Sequence, residues 1–134
     1  MSDVASETFI PLPSLVGSRM YSVTFILDCQ QLAFDGPDTE QHTINTYSRT
    51  RVGVGDSWFV SGELGYRDAL CNRVGGIVRI AGTDDVEKQI IVTFADNAII
   101  SISLRPEDFT GPEAAEYICY TGKDERLHVV WQDE

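Results

Sequence analysis

Chemically informative patterns are scarce in this chain, and each absence removes a class of function. No run of about 18 apolar residues occurs, so no helical membrane span is expected. Met1 to Ser6 is polar and acidic, without a basic or apolar leader region, and a cytoplasmic address follows as the expectation. The three cysteines, Cys29, Cys71 and Cys119, are odd in number, widely spaced and without a CxxC pair, which argues for buried structural thiols over zinc or redox chemistry. Histidine is represented only by His42 and His128, with no HxH or HExxH. No metal and no cofactor are therefore expected. Ser57, Ser61 and Ser101 lack the GxSxG context of a nucleophile elbow. Gly53-Val54-Gly55 has no following helix with a lysine, so a phosphate cradle is not expected. Asp84-Asp85 with Glu87 lacks the spacing and the terminal glutamate of a calcium-binding EF-hand loop.

Positive charge is equally sparse: 10 basic residues face 21 acidic ones, for a net charge of −11. That excludes the basic footprint of a nucleic-acid binder. The acidic excess is heavier after Arg67 and projects from expected turns at Asp84, Asp85, Glu87 and Asp96. These four are the candidate contact residues for a basic protein partner, since a net negative field steers such partners. A DNA mimic would need carboxylates at phosphate-like spacing, and the acids are scattered.

The chain divides into an arm over residues 1–19, partly ordered, and one domain over 20–134. Alternation in Met20 to Leu27 predicts a strand with Tyr21, Val23, Phe25 and Leu27 on one face. A second strand from Gln31 to Phe34 completes a hairpin. Gln41 to Val52 reads as one weakly apolar, water-exposed edge strand. Tyr66 to Val74 carries Tyr66, Ala69, Leu70, Arg73 and Val74 at helical spacing, and Gly75-Gly76 stops it. Strands follow at Ile77 to Ile80, Gln89 to Phe94 and Ala98 to Leu104, forming a meander. Pro106 interrupts the ladder. Gly111 to Glu116 reads as a short helix with proline in its first turn, and Leu127 to Trp131 as a terminal strand. The expected class is α+β: mainly antiparallel sheet, a hairpin plus a C-terminal meander, packed by one or two short helices.

Several strings carry a resemblance: Asp35-Gly36-Pro37 after the hairpin, GYRDALC at Gly65–Cys71, Ser101 to Asp108, GPEAA at Gly111–Ala115, and Val130-Trp131. In this order they resemble a family of small uncharacterised bacterial proteins, which implies the single-domain reading and the helix placements but no activity. Each string reads physically as fold maintenance.

Two function classes follow. One is a non-catalytic protein-binding module, resembling toxin-neutralising immunity proteins in physical style. The other is a small-molecule binder or small enzyme with a pocket between sheet and helix. For the second, a Cys71–His128 dyad would need folding to join two distant positions. Glu107 with Asp108, or Glu113 with Glu116, would serve as paired carboxylates only within a cleft.

Overall fold

The computed structural model describes residues 9–27, 29–37, 40–121 and 124–132. Eleven described strands run β1 (Phe9–Pro11), β2 (Arg19–Ile26), β3 (Cys29–Asp35), β4 (Glu40–Thr46), β5 (Thr50–Val54), β6 (Ser57–Val60), β7 (Val78–Asp84), β8 (Gln89–Phe94), β9 (Ile99–Ser103), β10 (Glu113–Thr121) and β11 (Asp124–Gln132). One helix, α1 (Tyr66–Cys71), and 3-10 turns at Pro13–Leu15 and Pro106–Asp108 complete the described elements. The strands form two antiparallel sheets. One has the order β1-β7-β8-β9-β5-β6 and the other β11-β10-β4-β3-β2. Leu32, Phe34, Ile44 and Tyr117 of the second sheet join Val52, Val92, Ile100 and Ile102 of the first, with Leu70 of α1, in one buried cluster. The protein is thus dominated by antiparallel sheet, with a single short helix among the described residues.

The hairpin β2–β3 and the meander β7–β8–β9 form where alternation predicts them. Of the arm expected over 1–19, residues 9–19 are described. Phe9–Pro11 pairs with β7, and Leu12 and Leu15 enter the core. A Cβ at Gly82 would overlap the Phe9 ring, so only glycine admits this close pairing.

Four expectations are corrected. GPEAA does not open a helix: Glu113–Thr121 is a strand paired with both β4 and β11. Ala115, Tyr117 and Cys119 point inward while Glu116, Ile118 and Tyr120 lie between them, so period-two burial prevails over the helix-start signal. Gln41–Val52 is not one edge strand. It splits at Tyr47–Arg49 into β4 and β5, which lie inside different sheets. Its poor apolar face is tolerated because the polar groups satisfy one another: Thr46 and Thr50 hydroxyls lie 2.9 Å apart, and Thr50 Oγ1 donates to the Ser48 carbonyl at 3.0 Å. The helix ends at Cys71, three residues early, and a turn then buries Arg73 and exposes Val74. Of the three thiols, Cys119 is buried, Cys29 is half-buried and Cys71 is exposed.

The face expected on β2 is also only partly covered. A bulge between Met20 and Ser22 turns both Met20 and Val23 towards the core. Tyr21, Phe25 and Leu27, expected on the same face, remain exposed.

Candidate functional site

A cleft of about 970 Å³ lies where the β2–β3 hairpin overhangs the β6–α1 loop. Its lips are apolar. Phe25, Ile26 and Leu27 form one, and Leu64, fully exposed at the loop tip, forms the other. Its floor is polar, with Gln30, Thr46, Tyr47, Ser48 and Ser61. Two contacts brace the walls: Tyr66 donates its hydroxyl to Gln30 Oε1, and the Arg67 guanidinium lies 4.9 Å above the Phe25 ring. Gly65 keeps a left-handed φ of 89°, and a Cβ there would crowd the Phe59 ring at 3.1 Å. GYRDALC therefore shapes this cleft as well as the core.

Behind the cleft, Glu116 gathers a polar hub on the five-stranded sheet. Its Oε1 accepts from Asn45 Nδ2 at 2.8 Å and from the Tyr47 hydroxyl at 3.1 Å, and its Oε2 lies 2.8 Å from His128 Nε2. Burial alone would raise the Glu116 carboxyl, but the hydrogen bonds from His128, Asn45 and Tyr47 outweigh it and hold the pKa below the ordinary value. The same hub pushes the Tyr47 phenol up to about 12, through burial and then its bond to Glu116. The Cys29 thiol is raised by burial and by the Glu116 charge, which suppresses its thiolate.

A second cleft, about 330 Å³, opens on the outer face of the six-stranded sheet. Thr50, Val52, Ile100 and Ile102 face the core, so alternation turns Arg51, Ser101 and Ser103 outward. Arg49, Arg51, Lys88 and Arg105, four of the chain's ten basic residues, line this one cleft. Lys88 holds a left-handed φ of 55° at the end of the β7–β8 turn. Glu87 approaches Arg105 at 3.9 Å, and Asp108 accepts from the Ser103 hydroxyl at 2.6 Å.

A third cluster joins β4 to β10. Cys119 stands opposite His42 in the register, and Glu40 lies two residues from His42 on the same face. One ligand atom from each of the three lies within 4.8 Å of the others. His42 is 0% exposed, its Nδ1 lies 2.8 Å from the Tyr117 hydroxyl, and its Nε2 has no hydrogen-bond partner. Burial pushes the imidazole pKa down, with Glu40 opposing.

The sequence-derived candidates fall elsewhere. Asp84, Asp85 and Glu87 come together at the β7–β8 turn, where Asp84 Oδ1 accepts from the backbone of Val86 and Glu87 at 3.0 and 3.1 Å. Asp96 sits at the opposite end of β8, about 20 Å away at ~3.3 Å per residue. It is engaged there by Arg73 at 2.8 Å. Cys71, on the helix beside β2, and His128, on β11 at the other edge of that sheet, are not brought together. Neither lines the large cleft, and no histidine does. Glu113 acts on the hub through its charge, which adds to those raising the Tyr47 phenol, and Asp108 anchors the chain through its carbonyl to Arg49.

Sequence reasoning missed the cationic cleft and the Glu40–His42–Cys119 cluster. Glu-x-His on one strand face was the only legible trace of the latter. No protein-family model, curated protein or solved structure matches the chain. No described helix is long and apolar enough to cross a membrane.

Proposed function

We propose that this chain is a non-catalytic protein-binding module that engages a basic partner through the apolar-lipped cleft, in the manner of small acidic immunity proteins. The observation that carries this reading is the crown of exposed Phe25, Ile26, Leu27 and Leu64 around the 970 Å³ cleft. Contiguous exposed apolar side chains beside polar groups are the physical mark of a docking surface. Glu63 and Asp68 on the rim, and the net charge of −11, favour a partner segment bearing lysine or arginine. Asp84, Asp85 and Glu87 then serve long-range steering. Three cysteines held as thiols support a cytoplasmic, reducing setting.

The test begins with a partner recovered at low salt. Leu27→Asp with Leu64→Asp should retain the wild-type circular dichroism and weaken that partner at least tenfold. Neutralising Asp84, Asp85 and Glu87 should slow association at low salt and leave dissociation unchanged. A folded double leucine variant that binds with wild-type affinity rejects the reading.

A second reading rests on the cation-lined cleft, which favours a compact anionic ligand. Arg51 lies 4.2 Å over the Trp58 ring, so occupancy should change tryptophan fluorescence. Titration with inorganic pyrophosphate should show this change in wild type and lose it in Arg51→Gln/Arg105→Gln. No saturable change in wild type removes this reading.

A further inference from the structure

We infer that Glu40, His42 and Cys119 form a binding site for a divalent transition ion of the zinc type, joining β4 to β10. The site is independent of the docking cleft. Antiparallel pairing sets Cys119 directly across from His42, and the two-residue strand period puts Glu40 on the same face. Three donors of different kinds therefore converge: a carboxylate oxygen, an imidazole nitrogen and a thiol sulfur, within 4.8 Å of one another.

The state of His42 points to a ligand. A ring nitrogen in a fully buried side chain normally has a hydrogen-bond partner, because leaving it without one costs about 1–3 kcal/mol. His42 Nε2 has none, and Glu40 Oε1 lies 3.6 Å from it. The other nitrogen, Nδ1, is held by the Tyr117 hydroxyl at 2.8 Å, and the two rings are parallel within 2°. This is the arrangement of a metal-bound histidine. A partner on one nitrogen fixes the ring and its tautomer, and the second nitrogen is left for the metal. In that state Nδ1–H donates to the Tyr117 oxygen, and Nε2 keeps its lone pair on the side of Glu40 Oε1.

Gly36 is the neighbour that limits access to this nitrogen. A Cβ built on Gly36 would lie 3.1 Å from His42 Nε2, so any larger residue there would crowd the nitrogen. Glu40 is 39% exposed at its side chain and provides the route from solvent. Zinc bonds of about 2.0–2.3 Å in a tetrahedron place ligand atoms roughly 3.3–3.7 Å apart. The Glu40–His42 separation of 3.6 Å already meets that, and every pair of the three ligand atoms lies within 4.8 Å.

The donor set selects the ion. Calcium and magnesium require several oxygen ligands. One imidazole, one thiolate and one carboxylate suit a borderline-soft ion and leave a fourth coordination position. On binding, the Cys119 S–H proton passes to solvent and a sulfur–metal bond forms. Thiolate and carboxylate then neutralise the dication, so burial of the complex leaves no net charge.

Cobalt(II) is the probe, added to the full-length, reduced and chelator-treated protein. One equivalent should bind, giving a thiolate-to-cobalt charge-transfer absorption that zinc abolishes by displacement. Cys119→Ser should lose that absorption, while Cys29→Ser and Cys71→Ser retain it. Glu40→Gln, on a partly exposed side chain, should keep the fold and weaken cobalt at least tenfold. Absence of the charge-transfer band in wild type overturns the site, as does an unchanged cobalt affinity in Glu40→Gln. A band that follows Cys29 or Cys71 overturns it too.

Discussion

The Tyr117 hydroxyl and His42 Nδ1 meet 2.8 Å apart inside the five-stranded sheet, on side chains both 0% exposed, and lock β10 to β4. Removing that hydroxyl leaves a buried imidazole nitrogen without its partner at nearly unchanged volume. Tyr117→Phe should therefore cost about 1–3 kcal/mol in metal-free protein, read as a lower denaturant midpoint with the slope unchanged.

Leu70 projects from α1 into the shared core and is fully buried. A six-residue helix has no independent stability and depends on that packing. Leu70→Ala should cost ~2–5 kcal/mol. Cys71→Ser, one residue on and exposed, should stay within about 0.5 kcal/mol. Equal midpoints for the two variants would mean that α1 does not face the core as described.

Arg73 is buried at the end of the α1 turn and reaches Asp96 at 2.8 Å, while Asp96 itself remains 63% exposed. The Arg73 hydrogen bond, with that from the Ala98 backbone, holds the Asp96 carboxyl below its ordinary range. A folded pKa below the unfolded one adds stability above the unfolded value of about 4, lost as pH falls through the folded value. Solvent screening limits the contribution to about 0.5–1 kcal/mol. Unfolding of Asp96→Asn, followed from pH 6 to pH 2, should show a shallower acid limb than wild type.

Thiol reactivity should rank by burial. In folded protein Cys71 should react rapidly with an aromatic disulfide reagent, Cys29 slowly and Cys119 slowest. After unfolding without reductant, three thiols should titrate. Cys71→Ser should remove the fast phase, and its survival would contradict the exposure of that side chain.

Much of the sheet was legible from period-two alternation. The hairpin, the meander and the terminal strand each carry it, and local sequence suffices where one face is buried. Leu70 and Ala69 were legible at helical spacing for the same reason. The GPEAA segment was not, because Pro112 and the acids signal a helix start locally, whereas Tyr117 and Cys119 bury only when β4 and β11 flank them. The edge reading of 41–52 failed likewise, since the Thr46 and Thr50 hydroxyls need the corner at Tyr47–Arg49 to reach each other and the Ser48 carbonyl, while the Ser48 hydroxyl donates to the Asp108 carbonyl.

Composition alone determined that the surface is acidic and that no sequence-contiguous metal or nucleotide motif exists. Only the tertiary structure decided where charge and donors gather. Arg49, Arg51, Lys88 and Arg105 come from three segments and meet because β5, β8 and β9 are neighbours. His42 and Cys119 lie 77 positions apart and meet through register. Register is a long-range property: it is set by which faces bury together across the sheet, and no local window of sequence contains it.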